Sequence, residues 1–278
     1  MVTREKLEVR LRRAYGLDQV EGRLSNYWQH HGGLLVITDF DGCLTKKDAA
    51  GRVTSIMDLV RDLLHKYDLE NYEKLHELHL EQLRLRHDEQ VSPAHKRESA
   101  EQAWKQTLRI LRSSFAVTKD ALREIAWRVQ LNLRPQVAEW LTYLQRLGAQ
   151  VVIYSASAVG ATVIPEVLAR HHVTVTDRLR IISNGFTFGS LGKIQLDDAI
   201  VTPLNKSGAV VCALIGLPPA NCLILGDAPP DADVRAGLDP CEQITTIGFA
   251  CQDESACFAQ YYDFVEPTDP SPSDVFEI

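Results

Sequence analysis

The chain reads as an α/β protein, a doubly wound, Rossmann-like parallel sheet with a helical cap domain inserted between its first and second strands. Three observations predict this. Short, largely apolar runs recur at 34–38, 151–154, 180–182, 222–225, 244–247 and 262–265, and strands that do not alternate with polar residues are buried on both faces. From residue 132 onward, helical stretches at 137–147, 159–170, 207–215 and 232–236 separate these runs, as in a parallel sheet built from strand–helix units. Residues 46–131, rich in Leu, Glu, Arg and His, contain no convincing strand.

Taken in order, residues 3–30 place Leu7, Val9, Leu11, Ala14, Leu17, Val20 and Leu24 at loosely helical spacing, broken near Gly16. This predicts a helical lead-in over 1–31, after which Gly32-Gly33 opens the first strand. The core domain is then 1–45 with 132–278, and the cap is 46–131. Within the cap, Leu75, Leu78, Leu83 and Leu85 form one partial helical stripe; Trp104, Leu108 and Leu111, then Leu122, Ile125 and Val129, form others. The Pro/Asp/Ser-rich stretch 267–272 predicts a surface loop.

Composition narrows the class. Among 278 residues, 45% are hydrophobic and 24% charged, which excludes a collagen, a disordered tail and a disulfide scaffold. The net charge of −7 argues against gripping nucleic acid through the overall field. It leaves room for an anionic substrate, because a metal and one lysine can reverse the potential inside a cleft. No run approaches the roughly 20 apolar residues that span a bilayer, and the charged amino terminus is unlike a signal peptide. The six cysteines contain no CxxC pair and several lie in apolar runs, so cytosolic thiols, and a cytoplasmic protein, are expected. A Cys251–Cys257 disulfide is the alternative.

The chemistry gathers at strand ends. The first strand runs into Asp39-Phe40-Asp41-Gly42-Cys43-Leu44-Thr45, at the carboxyl edge of the sheet, where open α/β sheets bind ligands. Gly42 predicts that the chain turns where it leaves the strand, letting both side chains reach one crevice. Such a pair suits Mg²⁺, or a division between nucleophile and acid/base; the alternative is a plain acidic turn. The strand at 222–225 ends in Gly226-Asp227-Ala-Pro-Pro-Asp231, although Asp231 could also be a helix cap or a dipole partner. Ser155-Ala156-Ser157 offers a hydroxyl and backbone N–H groups to an anion. Lys206, in Pro203-Leu-Asn-Lys206-Ser-Gly, could neutralise phosphate.

Other features read more plainly. His65, His76, His79 and His87 lack a zinc-site pattern and fit solvent-facing or cap-lining roles. Arg84, Arg86, His95, Lys96 and Arg97 fit a solvated cap face; the sharper reading is a cleft-facing group for a polyanionic substrate. Ser155 lacks a Gly-x-Ser-x-Gly elbow, and no phosphate loop of the nucleotide-binding kinds occurs.

With these motifs in view, the chain resembles the haloacid-dehalogenase superfamily of phosphohydrolases over residues 34 to about 265. Its four motifs stand in order as Asp39-Phe-Asp41-Gly-Cys-Leu-Thr, Ser155, Lys206 and Gly226-Asp227-xxx-Asp231. The resemblance implies Asp39 as a nucleophile forming an aspartyl-phosphate and Asp41 as the acid that then activates water. It implies Mg²⁺ held by Asp39, the Asp41 carbonyl, Asp227 and Asp231, and phosphate bound by Ser155, the Ala156 N–H and Lys206. True dehalogenases lack the carboxylate at Asp41. A closer likeness is to cytosolic pyrimidine 5′-nucleotidases, through Ile182-Ser-Asn184, Leu204-Asn-Lys206-Ser-Gly-Ala209 and Ile247-Gly-Phe249.

That likeness implies a cap closing over the cleft and a small phosphate ester as partner, with a nucleoside 5′-monophosphate expected. It leaves His95, Glu98 and Trp104 as candidate leaving-group contacts. The nucleotidases carry Glu-Glu-Lys near the positions of His95-Lys96-Arg97, with Glu98 displaced, which removes the acceptor for a base amino or imide group at that place. Cys43 and Ser157 also depart from the pattern, without removing a group the chemistry needs. The same residues would serve a phosphatase of another metabolite or a phosphotransferase, and a catalytically silent binding protein is the remote alternative.

Overall fold

The strands are β1 (Leu34–Thr38), β2 (Gln150–Ser155), β3 (Leu179–Ser183), β4 (Phe186–Phe188), β5 (Ile194–Leu196), β6 (Asn221–Gly226), β7 (Gln243–Ala250) and β8 (Phe264–Pro267) in this computed structural model. The structure describes residues 33–46, 53–88, 90–188, 194–196, 200–216, 218, 220–250 and 255–267. The expected lead-in helix at 1–31 and the tail beyond Pro267 lie outside them. Six strands form one sheet in the order β3–β2–β1–β6–β7–β8, and every neighbouring pair is parallel. The chain winds outward on one side through β2 and β3, then crosses to the other through β6, β7 and β8. The direction reverses between β1 and β6, which puts a topological switch point at the carboxyl ends of those two strands.

The apolar runs explain the layering. Leu34, Val36, Val151 and Ile153 enter one core, while Leu35, Ile37, Val152 and Tyr154 enter another on the opposite face. Period-two alternation thus divides continuous apolar strands between two layers, each fully buried aliphatic contributing about 1.5–3 kcal/mol.

The helices are α1 (Ile56–Tyr67), α2 (Leu69–His87), α3 (Pro93–Ser113), α4 (Lys119–Ala126), α5 (Val137–Arg146), α6 (Gly160–Arg170), α7 (Gly208–Ile215) and α8 (Ser255–Phe258). The first five lie between β1 and β2. A capping box starts α1: Ser55 N–H donates to Asp58 at 2.8 Å, and Asp58 N–H to Ser55 Oγ at 3.2 Å. Its Ile56, Leu59, Val60, Leu63 and Leu64 are buried, one face at helical spacing. Ser92 caps α3 ahead of Pro93 at its first position.

The helical segment between β1 and α5 leaves and returns side by side. Thr45 and Leu133 form an isolated antiparallel bridge; Lys46 N–H donates to the Asn132 carbonyl at 3.0 Å and Arg134 N–H to the Leu44 carbonyl at 2.8 Å. Its last helix, α4, packs on α6, where Arg123 pairs with Glu166 at 3.0 Å and Arg170 donates to the Arg128 and Leu131 carbonyls. Leucines of the insertion and of the sheet share one apolar cluster.

The structure differs from the sequence expectation in four places. Residues 229–235 form a 3₁₀ helix where a helix over 232–236 is expected; Pro229-Pro230 removes two backbone donors from its first turn. The expected stripe residue Val129 lies beyond α4 and is 70% exposed. Tyr262 and Asp263 precede the last strand. The β4–β5 hairpin is too short, at three residues a strand, to show period-two patterning.

Candidate active site

The two central strands deliver the acidic residues. Asp39 N–H donates to the Leu225 carbonyl at 3.0 Å, carrying the β1–β6 ladder one residue beyond Thr38. Gly42 then turns the chain with φ of +75°, a conformation that favours glycine, and a Cβ there would overlap the Asp227 carboxylate. Thr45 Oγ1 accepts from Gly42 N–H at 2.8 Å. Asp41 Oδ1 accepts the Ile56 N–H at 3.1 Å, so the start of α1 sits on the second carboxylate of the motif.

Lys206 ties the two halves together. Its Nζ donates to Asp39 Oδ1 at 2.7 Å and to Asp231 Oδ1 at 2.6 Å, with only 4% of its side chain exposed. Tyr154 supports this loop from below: its ring lies 5.9 Å from Nζ, and its oxygen accepts the Ser207 N–H at 3.3 Å.

These contacts set the protonation states. Burial first, against the opposing Lys206 charge, raises Asp39 to about 6. Burial and then the neighbouring Asp39 charge push Asp41 up to about 8. Asp227 is driven well above the usual carboxylate range by burial, then by the charges of Asp39 and Asp231. Burial lowers Lys206, but Asp231 and Asp39 outweigh it and hold the ammonium above its ordinary value. Cys43 is buried beneath the motif with Sγ 3.2 Å from Thr38 Oγ1, and burial pushes its thiol up, which leaves it a neutral packing group.

Among the described residues, Asp39, Asp227 and Asp231 form a group able to hold a metal, each offering an oxygen, all within 4.8 Å of one another. Three carboxylates face one ammonium, so with all three ionised the site keeps an excess of two negative charges. That excess, and the all-oxygen donor set, fit a hard divalent cation such as Mg²⁺. The Asp41 side chain is engaged with Ile56, which leaves its carbonyl as the donor expected from the resemblance.

Ser155 closes β2 with its Oγ accepting the Ser157 N–H at 3.2 Å. Ala156 follows, its carbonyl accepting from Asn184 Nδ2 at 3.1 Å. Asn184 also donates to the Val201 carbonyl at 2.7 Å and accepts the Val201 N–H at 2.8 Å. It therefore fastens the turn after β2 to the segment leading to Lys206.

Arg134 is absent from the sequence-based site, yet it supports the site directly. Buried at the return of the insertion, it donates from Nη2 to the Gly42 carbonyl at 2.6 Å and lies 4.7 Å over the Phe249 ring. Its one sequence signal is a lone charge in the otherwise uncharged stretch 129–138.

The three candidate cap residues are not alike. Trp104 is half-buried against the main core cluster, whereas His95 and Glu98 stand exposed on the first turns of α3. Arg84 and Arg97 are exposed and Lys96 half-buried, while the Arg86 side chain lies outside the description. His65 and His76 are exposed and flank Tyr72, with centroids 4.8 and 5.8 Å away. No described helix is long and apolar enough to cross a membrane, and Cys257 is a free, exposed thiol; Cys251 lies outside the described residues.

With the site assembled, relatives can be weighed. The pyrimidine 5′-nucleotidase (UMPH-1) family matches residues 42–271. The chain belongs to that family. Among solved structures it is similar to cytosolic 5′-nucleotidase IIIB bound to cytidine, at 21% identity and a TM-score of 0.77, covering 93% of this chain and 90% of that one. It also shares the fold of phosphoserine phosphatase, seen as a phospho-aspartyl intermediate analogue, at 13% identity and a TM-score of 0.50 over 84% of this chain and 93% of that one. A search of curated protein sequences returned no match. Membership of that family makes the chain a phosphohydrolase of nucleotides, and the solved structures share its fold.

Proposed function

We propose that the chain is a cytosolic, Mg²⁺-dependent phosphomonoesterase that hydrolyses nucleoside 5′-monophosphates through an aspartyl-phosphate on Asp39. The observation that carries this reading is the Lys206 ammonium bridging Asp39 and Asp231 at the switch point, where Asp39, Asp227 and Asp231 converge. Asp39, the Asp41 carbonyl, Asp227 and Asp231 would hold the cation. When bound, Mg²⁺ supplies charge neutralisation to the carboxylates and to the phosphate.

Near neutral pH Asp39 is largely ionised, with its value at about 6, and its free oxygen attacks phosphorus as the ester P–O bond breaks. Asp41 is largely protonated there, with its value at about 8, and gives its proton to the departing alkoxide. As a carboxylate it then takes a proton from water, whose oxygen attacks the same phosphorus, releasing phosphate and restoring Asp39. Ser155 Oγ, the Ala156 N–H and Lys206 bind the phosphoryl oxygens, a task of positioning and charge neutralisation.

The helical insertion, 46–131, acts as the cap. The bridged segments at 44–46 and 132–134 support that boundary, and the contact of α1 with Asp41 supports a cap that reports on the reacting centre. Trp104, with His95 and Glu98, is assigned to the leaving group. The cytidine in the similar nucleotidase structure supports a pyrimidine nucleoside in that role.

Phosphate release with Mg²⁺, measured over nucleotides, sugar phosphates and small phosphoesters, tests the reading. UMP and CMP are expected to be preferred, with turnover abolished in Asp39→Asn while circular dichroism stays unchanged. Equal rates across all esters would overturn the nucleotide assignment, and an active Asp39→Asn would overturn the nucleophile.

A further inference from the structure

The segment after β7 carries a residue that the four motifs do not include. Tyr262 is 5% exposed and donates its hydroxyl to the Ala228 carbonyl at 2.6 Å. Ala228 lies between Asp227 and Asp231. Its carbonyl also accepts the Asp231 N–H at 3.0 Å, and its own N–H donates to Asp231 Oδ2 at 3.2 Å. Since Asp231 Oδ1 accepts from Lys206, both carboxylate oxygens of Asp231 have fixed partners, and one of them is the N–H of the residue whose carbonyl Tyr262 holds.

The ring reaches this place through a slot built for it. Gly226 and Gly248 are register partners on the adjoining strands β6 and β7. A Cβ at Gly226 would overlap the Tyr262 hydroxyl and Asp231, and one at Gly248 would come within 2.6 Å of the Tyr262 ring. Two facing strand positions are thus bare where the ring passes, a close approach that only glycine permits. Phe258 stacks on the outer side with centroids 5.6 Å apart. The next residue, Asp263, locks the backbone: it accepts from the Thr246 N–H at 2.9 Å and the Thr246 hydroxyl at 3.1 Å, and its N–H donates to Thr246 Oγ1 at 2.9 Å. The phenol is therefore delivered from a rigid frame.

We infer that Tyr262 is a positioning residue for the cation site, holding the 227–231 turn so that Asp227 and Asp231 converge on Asp39 before any ligand arrives. Pre-fixed supporting hydrogen bonds behind a metal ligand raise affinity for the metal. The inference rests on reading Asp39, Asp227 and Asp231 as the cation site.

The test is Mn²⁺ binding to the full chain, followed by electron paramagnetic resonance, with Tyr262→Phe beside the wild type and Asp227→Asn as control. Tyr262→Phe is expected to keep its circular dichroism, with its melting temperature in EDTA lowered by about 1–6 °C, what one net hydrogen bond is worth. It is expected to bind Mn²⁺ about 3- to 10-fold more weakly, the factor one net hydrogen bond carries. Its phosphatase rate should recover at saturating Mg²⁺, which loss of folded protein would not allow. Unchanged Mn²⁺ affinity in Tyr262→Phe, with or without a lower melting temperature, overturns the inference and makes the tyrosine a packing residue only. Wild-type affinity in Asp227→Asn, or no binding by the wild type, overturns the cation-site reading itself and this inference with it.

Discussion

Replacing Lys206 with methionine keeps the length of the side chain and removes its charge. The ammonium is buried and bridges Asp39 and Asp231 at 2.7 and 2.6 Å, so its loss leaves two buried carboxylates facing each other and Asp227. Removing one member of a buried ion pair typically costs about 3–5 kcal/mol. In a chain of this size each kcal/mol moves the melting temperature by about 2–4 °C, which puts the expected drop at about 6–20 °C at pH 8 in EDTA. The drop depends on pH, and its sign follows from the site. Lys206 sits above its ordinary value, so it stays charged from pH 5 to 9 and contributes no titration there. Asp39, at about 6 in the folded protein, takes up a proton as pH falls toward 5, and without the lysine it does so at higher pH. The deficit of Lys206→Met should therefore shrink at pH 5 and be partly recovered at pH 8 by millimolar Mg²⁺. Scanning calorimetry at pH 5 and pH 8, with and without Mg²⁺, reads all of this, and kcat should fall by about 10²–10³. A variant as stable as wild type at pH 8 in EDTA, or one equally destabilised at both pH values, would refute the reasoning.

Two further outcomes follow from the same electrostatics. Asp41 lies at about 8 when folded and 3.8 ordinarily, so between those values the folded protein binds the extra proton and stability declines as pH rises. Asp41→Asn should flatten the fall in melting temperature between pH 5 and 8 in EDTA. With p-nitrophenyl phosphate, whose leaving group needs little protonation, it should release a burst of about one nitrophenol equivalent and then stall; loss of the burst together with turnover would place Asp41 in positioning instead. Asp227 is held unfavourably by burial and by Asp39 and Asp231, so Asp227→Asn should raise the EDTA melting temperature while removing Mg²⁺-dependent turnover. An unchanged or lower melting temperature would show that the repulsion at Asp227 does not limit stability.

Much of this protein is local information, and the sequence holds local information well. Apolar runs such as Leu34–Thr38 mark strands because both faces of a central strand must leave water. The absence of such runs over 46–131 marks the helical segment between β1 and β2, and the carboxylates of Asp39, Asp41, Asp227 and Asp231 announce themselves by standing at or near strand ends. The short hairpin β4–β5 and the 3₁₀ turn at 229–235 escape, because three-residue strands carry no period and two prolines break one. What lies between distant segments was decided only by the folded chain. Lys206 meets Asp39 across 167 residues of sequence, Arg134 reaches the Gly42 carbonyl across 92, and Tyr262 reaches Ala228 across 34. No periodicity encodes such pairings, since each depends on where two strands come to lie side by side. The residue types at the site are fixed by composition along the chain, whereas their distances, and with them the raised carboxylates at about 6 and about 8, arise because packing the sheet forces like charges together away from water.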